Sequence, residues 1–225
     1  TAVNDEPSFT KGADQTVLED SGSSTTTNWA TSISAGPSDE SGQTLTFSAS
    51  NDNNSLFSSQ PAISASGNLT FTPTADANGS ATVTVSVSDD GGTAVSGDDD
   101  TSPDQTFTIT ITAVNDPVTL TAAIADYTVL EDAAANTTDL DNIFGDIDIL
   151  NGAPSALQTL SYSVVSNTNS SLATTSINAG TGVLTVSYTS DDNGSATITV
   201  QANDSNGSTL NESFVVTVTA VNNEP

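Results

Sequence analysis

The side chains of this 225-residue chain that could do chemistry are almost all oxygens. It carries 28 Asp and Glu against one cation, Lys11, with no His, Cys or Met and a formal net charge of −27. Without imidazole, thiol or a spare amine, the usual nucleophile–base pairs cannot be assembled. Thiolate and imidazole metal sites and a disulfide framework are excluded as well. A carboxylate pair could in principle hydrolyse glycosides, but that needs a cleft walled by sugar-stacking rings. The chain has 1 Trp, 3 Tyr and 7 Phe, and most fall where a core would claim them. The reading is therefore not an enzyme. One lysine cannot pair with 28 carboxylates, so water, salt or bound cations must neutralise them. The same charge repels nucleic acid and anionic membranes, and no run of 18 apolar residues offers a membrane span.

The acids recur in fixed phrases. TAVND stands at residues 1–5 and 112–116, and TAVNN at 219–223, each followed closely by proline. TVLED occurs at 16–20 and 128–132, and NGSATVTVSVSD (78–89) matches NGSATITVQAND (193–204). A spacing of about 110 residues is that of one small sandwich. The chain thus reads as 1–7, the end of a preceding repeat and linker; 8–116, repeat one; and 117–225, repeat two with the start of the next linker. No signal peptide is visible, so an export signal would lie outside this piece.

The elements that must position these acids are strands. TVTVSVS, TFTITITAV, TITVQA and SFVVTVTAV alternate apolar with small polar residues, the period of a strand with one buried face. Thr, Val and Ile suit that surface. Asn-Gly, Gly-Gly and Asp clusters mark turns. Strands are expected near 14–19, 27–35, 43–49, 60–65, 68–73, 81–88 and 105–114, and again near 126–131, 138–146, 158–165, 172–178, 182–188, 196–202 and 210–221. No stretch has a convincing helical period. Two tandem seven-strand Greek-key sandwiches, all-β and immunoglobulin-like, follow. Trp29, the only tryptophan, is read as a core or rim plug.

In such a sandwich the trailing end of repeat one gathers Glu19, Asp20 and Asp76 with the linker residues Asn115 and Asp116. The leading end of repeat two gathers Asp146, Asp148 and Asp204. Carboxylates ~5 Å apart repel by roughly 3 kcal/mol per pair at an effective dielectric near 20. A hard cation removes that cost, and calcium, with six to eight oxygen ligands, suits the inventory better than magnesium.

The run VQANDSNGSTLNESFVVTVTAVNNEP (200–225) resembles the last third of a cadherin repeat, with an A-x-D turn, an alternating Val/Thr strand and an acidic linker ending in proline. TVLED resembles the acidic end of the first strand, and GDID a D-x-D motif. TAVND and NGSATVTV look closer to bacterial cadherin-like repeats of large secreted calcium-dependent adhesins. The resemblance implies Ca2+ ligands at Glu19, Asn115, Asp116, Asp146, Asp148 and Asp204, with Asp76 a looser match. The repeat carries the same roles to Asn4, Asp5, Asp39, Asp89 and Glu131. Asp39-Glu40-Ser41 lacks a clean D-x-D, V-N-D is shorter than the full linker motif, and Asn223 replaces the last linker acid.

The plain reading stays open: Asp and Asn favour turns for their own hydrogen bonds, and acidic surfaces aid solubility. Gly97–Asp100 reads as a solvated loop, and Asp191-Asp192 as either ligands or turn acids. The functional expectation is a pair of calcium-rigidified extender repeats at a bacterial cell surface, partnered by neighbouring repeats and projecting a distal binding domain in cell adhesion. The alternative is a carbohydrate-binding or homophilic module, holding glycans or another cadherin-like domain, with 93–104 and an exposed Trp29 as the places to look.

Overall fold

The computed structural model describes residues 3–92, 99–150 and 159–222. The first part of the 93–104 insertion, the linker residue Asn223 and the extreme termini lie outside the described residues. The chain divides into two compact units, residues 1–114 and 115–225, so Asn115 and Asp116 group with the unit they lead into.

Unit 1 contains β1 (Ser8–Thr10), β2 (Gln15–Leu18), β3 (Ser24–Thr26), β4 (Thr31–Ser34), β5 (Thr46–Asn51), β6 (Phe57–Ile63), β7 (Leu69–Pro73), β8 (Gly79–Ser88) and β9 (Gln105–Thr112). They form sheets in the order β2-β9-β8-β5, β3-β7-β6 and β1-β4. Alternation explains the core. Val83, Val85 and Val87 of β8 and Phe107, Ile109 and Ile111 of β9 face Leu69 and Phe71 of β7, all essentially buried. Each such side chain contributes roughly 1.5–3 kcal/mol, while the intervening Thr and Ser take the outer face. The first strand of the four-stranded sheet lies parallel to the last: Gln15 to Leu18 pair with Ile109 to Thr112 in register.

Unit 2 repeats this plan with β10 (Thr119–Leu120), β11 (Tyr127–Leu130), β12 (Asn136–Asp139), β13 (Phe144–Gly145), β14 (Ser161–Asn167), β15 (Ala173–Asn178), β16 (Val183–Tyr188), β17 (Gly194–Asn203) and β18 (Thr209–Thr219). The sheets are β11-β18-β17-β14, β12-β16-β15 and β10-β13, and Tyr127 to Leu130 pair parallel with Val216 to Thr219. The core is Leu140, Phe144, Leu172, Leu184, Ile198, Val200, Phe214 and Val216 with their neighbours.

The expected second strand is not continuous in either unit. In unit 1, Asn28 and Ser32 adopt φ of 52 and 50°, which breaks the run. The half before the break pairs with β7 and the half after it with β1. In unit 2 a short 3-10 turn, Leu140–Asn142, separates β12 from β13. Together with the short leading strands β1 and β10, this gives nine strand segments per unit among the described residues, against the seven expected. A single helical turn, α1 (Ile147–Leu150), follows β13.

Candidate functional site: the acidic ends of each unit

At the leading end of unit 2, three buried carboxylates converge: Asp146, Asp148 and Asp204 are 2, 7 and 0% exposed. Asp146 follows β13 directly and Asp148 lies in α1, so the GDID turn aims both inward. The Asp148 N–H donates to Asp146 Oδ1 at 3.0 Å. Asp204 closes the turn between β17 and β18, its Oδ1 accepting the N–H groups of Asn206, Gly207 and Ser208 at 2.8, 2.9 and 2.9 Å. The linker is tied to the same carboxylates. Asn115 Nδ2 donates to Asp204 Oδ2 at 3.0 Å, and the Asp116 N–H donates to Asp148 Oδ2 at 2.8 Å.

Charge and burial divide the three acids. Burial pushes the Asp146 carboxyl above the usual aspartate range. The N–H of Asp148 pulls against this, the charges of Asp148 and Asp204 add to it, and the N–H of Ile149 opposes it last. Asp204 is pushed the same way by burial, but its bonds from Asn115, Asn206, Ser208 and Gly207 outweigh it, and its carboxyl sits below the ordinary value. Two environments at the same end of unit 2 thus hold one carboxyl reluctant to ionise and another readily ionised.

The leading end of unit 1 is built alike. Asn4 Nδ2 donates to Asp89 Oδ1 at 3.0 Å, and the Asp5 N–H donates to Glu40 Oε1 at 2.8 Å. Asp89 therefore stands where Asp204 does, and Glu40 where Asp148 does. The sequence reading chose Asp39; that residue is exposed, and its neighbour Glu40 is the buried acid at 6%. Pro37 opens a short 3-10 turn over Ser38–Glu40, which rotates Asp39 outward and Glu40 inward. Residue 38, two before Glu40, is an exposed serine, so the Asp-x-Asp spacing of unit 2 is not repeated. Gln43 Nε2 donates to Asn4 Oδ1 at 2.6 Å, and Asn4 Nδ2 also reaches the Asp99 carbonyl at 3.0 Å. The end of the acidic 97–100 run thus packs on the linker asparagine. A Cβ on Gly91 would collide with Asn4 Oδ1, so only glycine lets that amide seat.

The trailing ends are duplicates. In unit 1, Glu19 is 2% exposed; its N–H donates to the Thr112 carbonyl at 3.0 Å, and its Oε1 accepts the Val114 N–H at 2.7 Å. Asn78 Nδ2 donates to Glu19 Oε2 at 3.3 Å, and the Asp76 N–H donates to Asp20 Oδ1 at 3.2 Å. In unit 2, Glu131 is 6% exposed, with the same pair of bonds to the Thr219 carbonyl (2.9 Å) and from the Val221 N–H (2.9 Å). Asp20, Asp76, Asp132 and Asp191 adopt φ of 61, 55, 64 and 56°, left-handed positions that Asp tolerates and that end these strands.

The residues fit a hard cation. Every side-chain group that could hold one offers oxygen. Among the described residues, Asp146 Oδ2, Glu40 Oε2, Asp89 Oδ2 and Gln43 Oε1 are buried acceptors without a donor. A buried oxygen with no N–H or O–H facing it is costly unless a cation meets it. The alternative of an aromatic ligand platform at Trp29 is corrected: the indole is 3% exposed, packs on Phe107 at 4.4 Å and donates to the Ala13 carbonyl at 2.9 Å. It is part of the core.

No protein-family model matches the sequence, and no curated protein matches it. Solved structures do. The extracellular cadherin domains 1-5 of Protocadherin Gamma B2 align over 99% of this chain and 42% of theirs, with 19% identity and a TM-score of 0.59. Human CDH23 EC21-23 aligns over 96% of this chain and 70% of that one, with 15% identity and a TM-score of 0.57. Mouse Cadherin-23 EC22-24 aligns over 98% and 67%, with 13% identity and a TM-score of 0.53. The chain spans about two fifths of the protocadherin fragment. No helix among the described residues is long and apolar enough to cross a membrane. With two all-β units of this topology and these neighbours, the chain has a cadherin-like fold.

Proposed function

We propose that the chain is a pair of calcium-stiffened extender repeats from a bacterial extracellular adhesin, spacing a distal binding domain away from the cell surface. One observation carries this reading. Three consecutive residues are each held by a different buried acid: Val114 by Glu19, Asn115 by Asp204 and Asp116 by Asp148. The covalent chain therefore passes from the trailing carboxylate of one unit to the leading carboxylates of the next without a spacer. Bound calcium would supply charge neutralisation and additional oxygen bonds there. The cadherin-like resemblance assigns the role of holding it to Glu19, Asn115, Asp116, Asp146, Asp148 and Asp204, with Asp76 the looser match. Asn4, Asp5, Glu40 and Asp89 would hold its counterpart ahead of unit 1, and Glu131 one beyond unit 2. The chain's own contribution is to bury these carboxylates before metal arrives, so little ordering cost remains.

Binding to the folded state stabilises it by about 2.7 kcal/mol at a free calcium one hundred times the dissociation constant. The test is calorimetric titration of calcium into chelator-treated protein, repeated with Asp116→Asn and with Asp146→Asn/Asp148→Asn, alongside small-angle scattering. The proposal expects both variants to lose the same heat, and the native chain to stiffen on calcium addition. Unchanged melting temperature and unchanged extension with and without chelator would refute it.

A further inference from the structure

The two units repeat each other strand for strand, and they part company where β5 and β14 begin. Phe47 pairs with Val87, and Tyr162 pairs with Ala202, at matching points of the register. Tyr162 is thus the second unit's Phe47. In unit 1 Phe9 packs edge-on against Phe47 at 5.2 Å. In unit 2 the residue paired with the ring is an alanine, two methyl groups smaller than valine. Beside Tyr162 lies a cavity of about 350 Å³, lined by Phe144, Ile149 and Leu160 together with Asp141, Asp146 and Thr159. A second hollow runs past the ring over Ala179–Gly182. Gly182 holds φ +63°, and a Cβ there would lie 2.8 Å from Asp141 Oδ1 and 3.1 Å from the tyrosine ring. Glycine keeps that flank of the ring bare. The Tyr162 hydroxyl donates to Asp141 Oδ1 at 2.7 Å, fixing an exposed carboxylate at the mouth.

We propose that unit 2 carries a saccharide pocket centred on Tyr162, which takes one neutral pyranose. The chemistry selects the ligand. The lining joins apolar side chains to carboxylate and hydroxyl acceptors, and no cation lines either hollow. A sugar ring has an apolar C–H face for Tyr162 and Leu160 and hydroxyl donors for Asp141 and Thr159. The volume falls at the lower end of small-molecule sites, room for one ring rather than a chain. Acidic sugars are repelled by Asp141 and Asp146. A quaternary ammonium is recognised by a cage of several ring faces, whereas here Phe144 stands tilted at 33° and 5.9 Å from the tyrosine. This pocket does not depend on the calcium reading, although Asp146 borders both.

The experiment uses the whole chain with carbon-13-labelled tyrosine rings, titrated in chelator and then in calcium with glucose, galactose, mannose, fucose and N-acetylglucosamine. All three tyrosines lie in unit 2, and Tyr162→Phe, the residue unit 1 uses at this position, assigns its signal without disturbing the fold. The expected result is a saturable shift of Tyr162 with at least one of these sugars, while Tyr127 and Tyr188 stay still. Asp141→Asn should weaken that binding about tenfold, since a hydrogen bond to a charged group is lost. No shift with any of the five overturns the proposal. So does binding that Asp141→Asn leaves intact, or a Tyr162 response to tetramethylammonium in place of sugar.

Discussion

Replacing Asp204 with alanine should unlock the leading end of unit 2, and the cost can be worked from its bonds. Its carboxylate accepts three backbone N–H groups at 2.8–2.9 Å and the Asn115 amide at 3.0 Å, from a position with 0% exposure. A hydrogen bond to a charged acceptor is worth about 1.5–3 kcal/mol net, so four reach about 6 kcal/mol at the lower bound. Asn115, Asn206 and Gly207 are exposed, so water recovers part of this, and relief of repulsion with Asp146 recovers more. A loss of about 3 kcal/mol remains. At a urea slope of about 1–1.5 kcal/mol per molar, the midpoint of unit 2 falls by about 2–3 M. Asp204→Asn keeps a carbonyl oxygen for the turn and should cost about 1 kcal/mol. The assay is urea unfolding in chelator. Trp29, the only tryptophan, reports unit 1, and the three tyrosines report unit 2, so the Trp29 transition should not move. Equal effects of Ala and Asn, or an Ala effect below about 1 kcal/mol, would show that Asp204 does not hold this turn.

Other outcomes follow from the same geometry. Gly91→Ala should expel the Asn4 side chain and abolish calcium heat from the leading end of unit 1, leaving that of unit 2; titration of the single variant measures it. Trp29→Ala should destabilise unit 1 by about 3–5 kcal/mol through cavity formation and the lost bond to Ala13, read by near-ultraviolet circular dichroism. Asp39→Asn should change stability by less than about 0.5 kcal/mol and leave calcium binding intact, whereas Glu40→Gln should weaken it. In chelator, Asp146 and Asp204 pull stability in opposite directions with pH. The raised Asp146 carboxyl contributes fully below the ordinary aspartate value, and that contribution is lost as pH rises through its folded value. The lowered Asp204 carboxyl contributes above the ordinary value and loses it as pH falls through its folded one. Urea midpoints of Asp146→Asn and Asp204→Asn should therefore depart from the native curve in opposite directions as pH rises through the carboxylate range, the first gaining stability relative to the native chain and the second losing it.

Much of this was legible beforehand because strand alternation and the repeated phrases are local signals. TVTVSVS can bury only its valines, and TVLED before a turn places its glutamate at a strand end in both units. Glu40 was missed for a physical reason. In Ser-Asp-Glu-Ser the two acids are chemically alike, and the short turn after Pro37 decides which points inward. The broken second strand escaped for a related reason: left-handed Asn28 and Ser32 carry no glycine to announce them. The Tyr162 cavity was not legible because its lining residues, from Asp141 to Tyr162, lie on separate segments that only the fold brings together.

The parallel pairing of β2 with β9, and of β11 with β18, has a mechanical consequence. β2 and β11 follow only a short leading strand, and β9 and β18 close each unit, so a pull that passes the leading strand slides the paired strands lengthwise in opposing senses. The bonds between them then bear the load together in shear, instead of parting one after another like a zip. Each unit is fastened in the direction along which a stretched filament would pull it.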